Sequence, residues 1–124
     1  MREIEFRGKI KNTDKWAYGN LQIRKTGTAI ITPDETVLGT YGQVDPETVG
    51  QYTGLKDKNG TKIYDGDKIE ITRKCVFETG IVIFRDSCFF IKVKETLLPL
   101  YEAIMNFELK VIGNITDNKE LLEE

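Results

Sequence analysis

The chain has 124 residues, 40% hydrophobic and 31% charged, with a net charge of −2, which is one domain's worth of ordinary globular protein able to bury its own core. It holds no histidine and one serine, Ser87, so Ser-His and Cys-His nucleophile pairs are excluded and most zinc, copper and iron sites lose their usual ligand. Residues 1–50 carry seven basic and seven acidic side chains and residues 51–124 carry eleven and thirteen, so neither part has the charge of a dedicated nucleic-acid binder.

The opening "MREIEFRGKIKN" alternates charge with apolar residues and lacks the apolar centre of a signal peptide. No apolar run approaches the ~18 residues of a membrane span. The expectation is a cytoplasmic protein without membrane contact. In the same segment Ile4, Phe6 and Ile10 alternate with Glu3, Glu5, Arg7 and Lys9, the period of a half-buried strand. "KWAYGNLQI" predicts a second strand, with Gly19-Asn20 as a bulge or turn. "TAIIT" is a short β-branched run that Pro33 and Asp34 terminate, and "TVLGTYGQV" reads as irregular or as a short edge strand.

Residues 51–71, "QYTGLKDKNGTKIYDGDKIEI", set glycines at 54, 60 and 66 among aspartates at 57, 65 and 67. Read as a calcium loop from Asp57, the segment puts Lys68 where the bidentate glutamate belongs. Read as a phosphate loop, it lacks the GK[ST] ending, and its aspartates repel an anion. Turn chemistry accounts for every residue: Asn59-Gly60 suits a hairpin between Leu55 and Ile63 with left-handed residues at its tip, and "YDGD" supplies a second turn. The glycines are expected at positive φ and the aspartates as acceptors for turn amides.

Beyond it, "DKIEIT" alternates again, and "CVFETGIVIFRDSCFFIKVK" predicts two strands joined at Arg85-Asp86-Ser87, the first apolar on both faces. "ETLLPLYEAIMNF" has helix-like spacing interrupted by Pro99, so a short helix or ordered loop is expected. "FELKVIGNI" places Phe107, Leu109 and Val111 on one strand face. Asp117 with Glu120 has the spacing of a capping box and predicts a helical turn in "DNKELLEE". Cys75 and Cys88 are too few for a disulfide framework or a four-cysteine zinc site and are expected free. The Asn-X-Thr triplets at Asn59 and Asn114 are expected to be chance matches, because no leader would offer them for glycosylation. About eight short strands with regular turn signals define a mainly-β fold of the small barrel type with short helical turns, in two subdomains, 1–50 and 51–124, forming one compact unit.

"VGQYTGLKDKNGTKIYDGDKIEI" and the terminal "FELKVIGNITDNKELL" resemble the two hallmark blocks of the YopX family, and Trp16, Ala17, Tyr18 and Gly19 echo its "WVYG"-like feature. The resemblance covers essentially the whole chain. It implies a phage- or prophage-encoded cytoplasmic protein of the bacterial host, β-rich, with an SH3-like C-terminal barrel, and no established molecular function.

Three classes of function are open to such a chain. A binding or regulatory module for nucleic acid or a host protein would use Arg73, Lys74, Arg85, Lys92 and Lys94, with Phe89 or Phe90 stacking unless these pack in the core, and Lys56, Lys58 and Asn59 at the turn. A self-associating protein would pair an edge such as Thr28 to Thr32 or Cys88 to Lys94 with its copy. Catalysis has little to work with: Asp65 and Asp67 lack a third carboxylate, and neither cysteine has a neighbouring base, so no cofactor, metal or enzymatic activity is expected.

Overall fold

Alternation and β-branching carry most of the described residues into strands. The computed structural model describes residues 3–32 and 42–117, and these divide between two units, Met1–Tyr52 and Thr53–Glu124. The predicted helical turn in "DNKELLEE" lies outside the described residues, as does most of "TVLGTYGQV".

In the first unit β1 (Phe6–Lys9), β2 (Trp16–Ile23), β3 (Ala29–Thr32), β4 (Gly42–Val44) and the start of β5 (Gly50–Lys56) form an antiparallel sheet in the order β4-β3-β2-β1-β5. Its core is Ala29, Ile31 and Val44, with Phe6, Ile10, Ala17, Leu21 and Val49 packed against them. Gly8 belongs to the same face: a Cβ there would lie 2.9 Å from Val44 Cγ2, so only hydrogen fits. A single bridge from Ile10 to Val44 ties the end of β1 to β4.

Two expectations fail here for physical reasons. Ile4 is exposed while Arg7 is buried, because the Arg7 guanidinium lies 4.8 Å from the Trp16 ring and Lys9 flanks that ring at 5.7 Å. Gly19-Asn20 makes no turn; β2 runs through it, pairing with β1 up to Gly19 and with β3 from Asn20. The pair marks a change of neighbour rather than of direction.

In the second unit the later part of β5 precedes β6 (Lys62–Tyr64), followed by β7 (Asp67–Arg73), β8 (Val76–Arg85), β9 (Cys88–Val93), β10 (Thr96–Pro99), α1 (Leu100–Asn106) and β11 (Glu108–Asn114). Strands β7 to β10 form an antiparallel meander, and β11 returns to the free side of β7, giving the order β10-β9-β8-β7-β11. Ile63, Ile69, Ile71, Val82, Ile91, Leu100, Ala103 and Leu109 make its core. A fully buried branched side chain contributes roughly 1.5–3 kcal/mol before entropy is charged against it, so this cluster dominates the unit's stability.

The region around Pro99 resolves into a strand and a helix in succession. Pro99 ends β10 and caps α1, and Phe107 closes the helix by donating its N–H to Ala103 O. The described residues thus give a mainly-β protein of two antiparallel sheets, and no closed barrel forms among them. Both strands expected to offer open edges are interior: β3 lies between β2 and β4, and β9 between β8 and β10.

Candidate functional site

The aspartates of the glycine–aspartate segment bond its turns. Asp57, largely buried, accepts the N–H groups of Asn59 and Thr61 on Oδ1 and that of Val111 on Oδ2. Gly60 donates to Asp57 O, and Lys58 N–H donates to Leu109 O. One carboxylate therefore shapes the turn and fastens it to the outer edge of β11. Asn59 does not take the left-handed conformation expected of it; Gly60 alone does, at φ 82°, as in a type I turn closed by a left-handed glycine. Asp67 is spent likewise: it is almost fully buried and accepts Tyr64 N–H at 2.7 Å. Among the described residues, no three cysteine, aspartate or glutamate side chains are grouped for a metal ion.

The more open chemistry lies where the β7–β8 hairpin meets the end of α1. Lys74 and Cys75 form a two-residue turn, with Lys74 at φ 56°. Just before it, the Arg73 guanidinium donates to both oxygens of Glu78, at 2.9 and 2.8 Å, and lies 5.0 Å over the Phe107 ring. Met105, on the side of α1 away from the core, is 66% exposed. Thr72, Arg73 and Lys74 on one side and Met105, Asn106, Phe107 and Glu108 on the other line an open groove of about 500 Å³. Lys58 Nζ reaches Glu108 Oε2 at 3.6 Å.

The eight cations and turn residues named from sequence do not form one surface. Lys58, Arg73 and Lys74 converge through the groove and Glu108, with Asn59 on the same turn as Lys58. Lys56 is at the end of β5, Arg85 ends β8 at the opposite end of the sheet, Lys92 stands on β9 between Ile81 and Leu97, and Lys94 opens the β9–β10 turn. Phe89 packs against the core and touches Phe84, with ring centroids 4.9 Å apart, while Phe90 is half-buried. Cys75 and Cys88 are free and exposed.

Sequence reasoning missed Met105, Phe107 and Glu108 as site residues. A signal existed: Leu100, Ala103, Ile104 and Phe107 hold the core side of a helix at spacings of three and four, which turns Met105 outward. It was obscured by Pro99 inside the pattern.

Arg73 and Lys58 are each matched by a carboxylate, and apolar groups share the groove with them. Such a mixture suits a polypeptide surface better than a phosphate backbone. The fold and this groove define a small two-unit β-protein with an open, mixed-character surface. The chain belongs to the YopX family: the family model described as YopX protein matches residues 5–123. No curated protein matches the chain.

Proposed function

We propose that this YopX-family chain is a phage- or prophage-encoded, non-enzymatic binding module. It works in the bacterial cytoplasm and takes a segment of a host protein in the groove between the β7–β8 turn and the end of α1. The observation that carries the reading is Met105, exposed beside an Arg73–Phe107 pair that Glu78 already holds in place. Methionine adapts to varied apolar partners, and a prefixed arginine loses little freedom on binding. Lys74, exposed at the rim, would accept an acidic side chain of the partner. The missing histidine and the single serine support the non-enzymatic part. The second unit is read as an SH3-like variant, supported by the four-strand meander, the short helix and the return of β11 to β7.

The test is capture from bacterial lysate, with and without nuclease, by the wild type and by a Met105→Asp/Lys74→Glu variant. A nuclease-resistant protein should be retained by the wild type and reduced about tenfold or more by the variant, the effect of removing an interface centre. Retention that disappears with nuclease would transfer the function to nucleic acid.

A further inference from the structure

The β7–β8 hairpin outruns its neighbour. Its two-residue turn makes Arg73 and Val76 the hydrogen-bonded pair that closes it, and bonding alternates from there. Val76, Glu78 and Gly80 turn their N–H and C=O groups toward β7, so Phe77, Thr79 and Ile81 turn theirs toward β9. Pairing with β9, however, begins only at Ile81, opposite Lys92. Among the described residues no strand lies opposite Phe77 or Thr79. Along this open edge Val76 is 55% and Phe77 68% exposed.

Three outer strands, β11, β10 and β4, are blunted. On β11, Leu109 O accepts from Lys58 N–H, and Val111 N–H donates to Asp57. Strand β10 has four residues and ends in Pro99, which has no N–H to offer. On β4, Gln43 O accepts from Lys11 N–H. Among the described residues the Val76–Thr79 edge has no proline, no lysine and no paired strand, which is the pattern of a strand that accepts another.

We propose that Val76–Glu78 pairs antiparallel with the same segment of a second copy, about a two-fold axis at Phe77. In that register the Phe77 N–H and C=O groups bond to those of Phe77 of the second copy, and the two rings meet on the outer sheet face. Val76 stands opposite Glu78 of the second copy, whose charge Arg73 already neutralises, so no like charges face each other. An axis one residue later would set the two Glu78 side chains against each other. This inference is independent of the groove reading, since the groove lies on the β7–β11 side of the hairpin.

The register makes a covalent test. Phe77 would sit opposite Phe77 of the second copy, with Cα atoms about 5.5 Å apart, while the two Thr79 Cα atoms would be about 14 Å apart, at about 3.4 Å per residue, too far for a disulfide. In the full chain carrying Cys75→Ser and Cys88→Ser, adding Phe77→Cys should give a disulfide dimer under mild oxidation, and adding Thr79→Cys should not. Light scattering on the wild type should show a mass rising with concentration toward twice the monomer, and Phe77→Lys should hold it at the monomer mass. A wild type that stays monomeric at high concentration, a Phe77→Lys variant that dimerises equally, or a Thr79→Cys chain that cross-links as well as the Phe77→Cys chain would each overturn the proposal. Loss of lysate capture by Phe77→Lys with no change of mass would assign the edge to another protein and overturn it too.

Discussion

Asp57 accepts three backbone N–H groups from two places far apart in the chain, which makes it the most connected carboxylate among the hydrogen bonds described. Replacing it with alanine strands those donors, and Asp57→Ala should lower unfolding stability by about 3 kcal/mol in urea titration. Asp57→Asn keeps one acceptor oxygen and should cost about half as much. Gly60→Ala, at positive φ but in open space, should cost only about 1 kcal/mol. The turn role of these residues was legible because glycine and aspartate act locally. The tie to Val111 was not, since its partner lies 54 positions away. Arg7 was misread for a related reason: alternation assigns charges to solvent, and only cross-strand packing reveals that Trp16 covers this one.

At the scale of elements, the two-residue turns are open to improvement. Asp86 and Ser87 both hold positive φ, 51° and 67°, the geometry that Asn-Gly adopts without strain. Ser87→Gly should therefore stabilise the β8–β9 hairpin by about 0.5–1 kcal/mol, read as a rise in thermal midpoint. The opposite change at Gly80 should be severe. A Cβ there would lie 2.6 Å from Ile91 Cγ2 and 2.8 Å from Lys92 O, so Gly80→Ala should cost about 2–3 kcal/mol and part β8 from β9. Strand existence was legible nearly throughout, because period-two patterning is local. Edge or interior status was not: β3 and β9 look alike as candidates until β4 and β10 are seen to cover them.

For the molecule as a whole, charge compensation sets the expected solution behaviour. The net charge is −2, and the groove cation Arg73 and its neighbour Lys58 are each paired with a carboxylate. Partner binding should thus weaken less than about tenfold between 50 and 200 mM salt, where a protein with six to ten phosphate contacts would lose ~10³-fold or more. Titration at the two salt concentrations decides between these outcomes. Arg73 and Lys74 in the groove and Lys58 beside it were legible as cations, but the matching of Arg73 to Glu78 and of Lys58 to Glu108, which redirects the reading toward protein, exists only in the fold. The bond from Asp57 to Val111 has a further consequence, for biosynthesis. As the chain leaves the ribosome, the 57–61 turn can form early, yet its carboxylate stays partly unsatisfied and β7 keeps a bare edge until β11 emerges. A chain broken off before residue 108 should carry both defects and be degraded faster than the full chain, as read by pulse-chase. β11 therefore completes the acceptor set of Asp57 and the pairing of β7 in one step.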